Sequence, residues 1–155
     1  MLRFAAVALL CFGLPFLTHA QPRSAPVMHH AHGTFTVEMK PAAASPAEGL
    51  TTFTMQKKFE GDLTGTGQGE MISAGDYKAG AAGYVAIETV TGTLDGRQGS
   101  FALAQLATVD ASGPRMQVIV VPGSGTGALK GIGGTFTISI EHGQHFYQLD
   151  YTLPE

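Results

Sequence analysis

The chain has 155 residues, 21 of them glycine, with no tryptophan, a single cysteine and a formal net charge of −3 when the histidines are neutral. So few charges, scattered and slightly acidic, form neither a basic face for a phosphate backbone nor an acidic tail, which argues against nucleic acid as a partner. Cys11 alone supports no disulfide, thiolate zinc site or cysteine catalysis, and abundant glycine without collagen's strict period leans toward a turn-rich all-β domain.

In chain order, residues 1–20 come first. Arg3 precedes an apolar run over residues 4–16 that Gly13 and Pro15 interrupt, and Thr18-His19-Ala20 puts small residues at both cleavage-defining places. This reads as a secretory signal peptide cleaved near Ala20, so the mature protein is expected in the periplasm or the medium. The run falls short of the roughly 20 apolar residues a bilayer requires, and no later segment comes closer, so no membrane span is expected. Leu10 stands directly ahead of Cys11 where lipoprotein processing wants a small residue. Without the leader, eight basic residues face twelve acidic ones, a formal charge of −4.

Residues 21–32, rich in proline, alanine and histidine and lacking a period, read as a flexible lead-in, and one domain is expected over residues 33–155. Residues 34–39 alternate polar with apolar until Pro41, and residues 42–49 form a loop around Pro46. Residues 50–59 alternate again, with Phe53, Met55 and Phe59 on one face and Thr52, Thr54 and Gln56 on the other. After a turn at Glu60-Gly61-Asp62, the strand over residues 63–73 is so glycine-dense that it must bend or lie close to another backbone. Residues 83–94 form the next strand, and Asp95-Gly96 is the strongest hairpin signal in the chain. Residues 101–109 follow, then a loop to Pro114, then the near-continuous apolar run of residues 116–121, which predicts burial on both faces. Residues 128–131 read as a short strand or a reversal, and residues 136–141 and 145–153 supply the last two strands. No window shows helical spacing of apolar residues.

A repeat organises these elements. The sequence GTLDGRQGSF at residues 92–101 recurs as GALKGIGGTF at residues 127–136, and a looser copy begins at Gly61 with Leu63, Gly65 and Gly69. Many short antiparallel strands without a helix or disulfide to cover their edges are most simply completed by closure into a barrel of about eight strands. Taken with AGYVAIETVTGTLDGRQGSF, GDLTGTGQGEMISAG, VVPGSGTGALKGIGGTFTISI and GQHFYQLDYTL, the repeat-bearing blocks resemble the bacterial family catalogued as domain of unknown function 3224, over residues 33–153. The resemblance implies a closed antiparallel barrel similar to that of allene oxide cyclase and the dirigent proteins, and no catalytic motif. The strand after the first repeat reads Leu103-Ala104-Gln105 where the family has Leu-Gln-His, so no histidine role carries over there.

Candidate chemistry is sparse. Residues 120–128, VVPGSGTGA, match a dinucleotide fingerprint, but Gly131, Gly133 and Gly134 deny it the helix that must receive a pyrophosphate. His29, His30 and His32 fall in the expected lead-in, and His142 and His145 flank a turn, so neither group predicts a metal site, and no cofactor is expected. On the last strand His145, Tyr147, Leu149 and Tyr151 share the more apolar face, which is expected to point inward. Glu88 shares a face with Tyr84, Ala86 and Val90, while Val85 and Ile87 occupy the other, so its direction stays open. The reading favoured is an exported barrel that binds a small apolar molecule, with Phe53, Met55, Phe59, Tyr84, Tyr147 and Tyr151 as wall residues. Two alternatives are a cofactor-independent isomerase or cyclase using Glu88 or His145 as proton carrier, and a filled barrel that forms a homo-oligomer through outer residues such as Ile119 and Val121.

Overall fold

The computed structural model describes residues 25–154. The proposed leader and Cys11 lie outside them. Eight strands, β1 Met28–Pro41, β2 Leu50–Gly61, β3 Leu63–Asp76, β4 Ala81–Leu94, β5 Arg97–Asp110, β6 Gly113–Val120, β7 Gly133–Glu141 and β8 Gln144–Thr152, close into an antiparallel barrel in chain order. Every strand pairs with its sequence neighbours, and β1 completes the circle on β8 from Met28↔Thr152 to Phe35↔His145.

That closure corrects the expected lead-in. Residues 28–32 are strand, because β8 supplies their backbone partners. They do alternate, with Ala31 fully buried between the exposed His30 and His32, but in small and histidine residues that carry no apolar period. His29 stacks on Tyr151, His30 Nδ1 lies 2.7 Å from Asp150 Oδ1, and His32 Nδ1 lies 3.2 Å from Asp62 Oδ2. The three rings therefore have separate protein partners.

The barrel has two unlike ends. At one, the repeat forms a plug: Leu63, Leu94 and Leu129, equivalent positions of its three copies, are all buried, as are Phe101 and Phe136. Gly96 (φ 79°) and Gly131 (φ 82°) occupy the left-handed region at matching places, which a Cβ would strain. Asp95 and Gly96 both have positive φ, the geometry of a type I′ hairpin turn. Residues 127–129 form one 3-10 turn, so the fingerprint-like stretch opens no α-helix. Leu129 and Ile132 from this connection complete the plug.

The apolar run on β6 is corrected as well. Val118 and Val120 are buried, whereas Gln117 and Ile119, which alternate with them, are exposed, so the strand has one wet face like its neighbours. Between β6 and β7 a single register pair, Ile119↔Thr135, is formed. The wall is thinnest in hydrogen bonds there.

Candidate functional site

At the end opposite the plug, the strands surround a cavity of about 130 Å³. Each of the eight contributes to its wall: Met39 from β1, Met55 and Lys57 from β2, Met71 from β3, Tyr84 from β4, Gln105 from β5 and Met116 from β6, with Ile138 and Ile140 from β7 and His145 from β8. Phe35 and Val37 complete it from β1. Inward-facing positions recur every second residue on each strand, so one ring of residues around the barrel builds the whole site.

Beneath the cavity lies an ion pair. Lys57 Nζ donates to Glu88 Oε1 at 2.5 Å, and the two side chains are 5% and 3% exposed. Alternation places Lys57 on the same face as Met55 and Phe59, and Glu88 between the inward Ala86 and Val90, which settles the direction of Glu88. Space for the pair comes from Gly67: a Cβ there would lie 2.6 Å from Glu88 Oε2 and 3.1 Å from the Phe59 ring. The inward positions of β3 from Gly65 to Gly69 are all glycine, so its neighbours' side chains fill the interior on its behalf. Lys57 Nζ also sits 5.0 Å from the centre of the Phe35 ring, a cation–π contact. Among the described residues, Glu88 Oε2 is a buried acceptor without a hydrogen-bond partner.

Three further polar groups stand on the wall. Gln105 Nε2 donates to Tyr84 Oη and lies 3.4 Å from Met116 Sδ. Burial raises the Tyr84 phenol above its ordinary value, so it stays protonated at neutral pH. The His145 ring packs 4.9 Å from that of Phe35, and burial followed by the Lys57 charge holds it below the ordinary 6.5. It therefore presents a neutral imidazole at neutral pH.

The residues expected to form a single wall are thus divided. Met55 and Tyr84 reach the cavity, as does His145, offered from sequence as a proton carrier. Phe59 and Tyr147 lie deeper, packed with Phe35 and Phe136 in an aromatic cluster, and Tyr147 Oη accepts from Leu63 N at 2.8 Å. Tyr151 is deeper still, in the plug, where it donates to Asp95 Oδ2 at 2.6 Å; burial, then this carboxylate, pushes its phenol up to about 12. Tyr147 and Tyr151 are corrected from ligand wall to structural core, because protein atoms already satisfy their hydroxyls. Phe53 is half-buried near the rim, opposite Pro41 and Met71, and does not line the cavity. Missing from the sequence reading are Lys57, Met39, Met71, Gln105 and Met116. Parity with Met55 would have turned Lys57 inward; for the methionines no spacing along the chain signals that they meet.

The match to known proteins covers most of the barrel. A family model described as protein of unknown function (DUF3224) matches residues 31–151. The chain belongs to the DUF3224 family. A crystal structure of a protein of unknown function from that family, from Shewanella oneidensis MR-1, is 43% identical and superposes with a TM-score of 0.75, covering 83% of this chain and 100% of its own. No curated protein matches the chain. The family model begins at Ala31, inside β1 and ahead of the Gly33 boundary that alternation suggested.

Proposed function

We propose that this DUF3224 protein is an exported binding protein that takes the apolar, preferably aromatic, end of a small molecule into the open mouth of its barrel. The observation that carries this reading is the cavity wall: four thioethers and two isoleucines around three neutral polar groups. Methionine is flexible and polarisable, adapts to irregular apolar shapes and adds about 0.3–1.5 kcal/mol per sulfur–aromatic contact. Volume limits what enters. An apolar cavity of about 150 Å³ accepts benzene, so 130 Å³ accommodates a ring-sized head while the remainder of a larger ligand would stay in the mouth. Tyr84, Gln105 and His145 would orient an oxygen or nitrogen on that head. Export rests on the leader-like composition of residues 1–20.

The test is native mass spectrometry of protein exported with its own leader, alongside a Met71→Trp variant whose indole fills the mouth. A discrete organic mass on the cleaved chain that disappears in the variant supports the reading. An adduct that survives the filled mouth places the ligand elsewhere, and a protein that stays empty and takes up no ring-sized apolar probe removes it. For the isomerase or cyclase alternative, the geometry favours His145 over Glu88 as proton carrier, since His145 lines the cavity while Glu88 is held by Lys57.

A second reading concerns the outer surface. Val85 pairs with Leu106, Ile87 with Ala104 and Ala104 with Ile119, and the larger members of this stripe are exposed. A second copy of the chain would cover it. Ile87→Lys should then convert a dimer to monomer in sedimentation equilibrium, and a dimer that persists would move the interface. Val121 is not part of the stripe; it lies beyond the end of β6, with its N–H donated to Ala102 O.

A further inference from the structure

We infer that the mouth of the barrel is also a binding site for a soft monovalent metal ion, Cu(I) or its closed-shell analogue Ag(I), held by methionine sulfurs and His145. Beyond the leader the chain has five methionines, at positions 28, 39, 55, 71 and 116, and four of them line this one cavity. They arrive from four different strands, so no local sequence preference gathers them. Met39 and Met55 are direct register partners across β1 and β2, and Met71 is one inward position beyond Gly69, the partner of Met55. Met116 and His145 face them from β6 and β8.

The donor set is selective by its chemistry. Thioethers are soft ligands that suit Cu(I), imidazole suits copper as well, and hard divalent cations want carboxylates. Among the described residues no carboxylate lines the cavity, and no three histidine, cysteine or acidic groups come together to hold a metal. The one charge on the wall, Lys57, is matched by Glu88 at 2.5 Å, so an entering monovalent cation would meet a neutral floor. Met39 and Met116 are 41% and 47% exposed, so the ion would remain partly solvated, without the full cost of burying an uncompensated charge. This site uses the sulfur lone pairs, whereas the apolar-ligand reading uses the area of the same side chains. The two are separated by titrating with the metal alone.

The experiment is titration of the mature protein, carrying 13C in its methionine methyls, with Ag(I) alone. The methyl signals of Met39, Met55, Met71 and Met116 should shift together and saturate at about one equivalent. Met28, beside His29 and His30 at the opposite end, should not move with them and reports adventitious binding there. Met55→Leu/Met71→Leu keeps volume and apolarity; it should weaken Ag(I) by about tenfold or more, roughly 1.4 kcal/mol. Met116→Leu, at an exposed position, repeats the test if the double variant fails to fold. Shifts that do not saturate, that run in parallel with Met28, or that survive loss of the sulfurs would overturn the site.

Discussion

The plugged end and the open end of this barrel are lined by different kinds of residue, although the same eight strands run through both. Plug residues are leucine, phenylalanine and tyrosine at repeated places, set by left-handed glycines and sealed by hydrogen bonds such as Tyr151 to Asp95. Mouth residues are mainly methionine and isoleucine, with Tyr84, Gln105 and His145, one to three per strand and without a repeat. Side chains with few rotamers in a filled interior fix the shape of the barrel, while long, adaptable side chains around a void leave room for a visitor. Between them the Lys57–Glu88 pair marks a boundary. Stability and, on the proposed reading, binding are thus assigned to opposite ends.

The largest contrast should come from truncating one aromatic against one thioether. Phe136→Ala in the plug is expected to cost about 3–5 kcal/mol in denaturant unfolding, and Met71→Ala at the mouth about 1 kcal/mol or less. Equal losses would erase the division between the ends. At the boundary, Glu88→Leu leaves a buried ammonium unpaired and should cost about 3 kcal/mol, whereas adding Lys57→Met should restore most of the loss. If the double variant is no more stable than the single, the pair contributes through more than its charges. The turns sharpen the comparison on a smaller scale. Gly96→Ala at the plug should cost about 1–2 kcal/mol, while His142→Asn, at the equally left-handed turn of the mouth (φ 50°), should gain about 0.5 kcal/mol or less. The smallest effect is one of pH. With the folded His145 held below 6.5, the unfolded chain takes up its proton more readily; stability from this group is complete above 6.5 and is lost as pH falls below that toward the folded value. His145→Gln should flatten that part of a Tm-against-pH curve, and an unchanged slope would assign it elsewhere.

What could be read from the chain alone follows the same division. At the plugged end the repeat and the hairpin at Asp95-Gly96 were legible because repeated glycines and alternating apolar residues are local signals that need no knowledge of neighbours. The mouth was not, because Met39, Met71, Met116 and Gln105 acquire meaning only when strands distant in the chain close the circle. Lys57 was hidden for another reason. A charged residue is normally assigned to solvent, and only a partner on another strand, with Gly67 making room between them, permits it to face inward. Residues 28–32 show the same dependence, since β8 provides the pairing that their composition does not advertise.

The pairing of Met28 with Thr152 also bears on how the polypeptide can be rewired. Each strand follows its spatial neighbour around the circle, so joining residues on either side of this pair by a short linker and cutting at the His142-Gly143 turn would preserve every strand contact. Such a circular permutant would begin at the mouth, and its new chain ends could carry a reporter beside the cavity without passing through the plug.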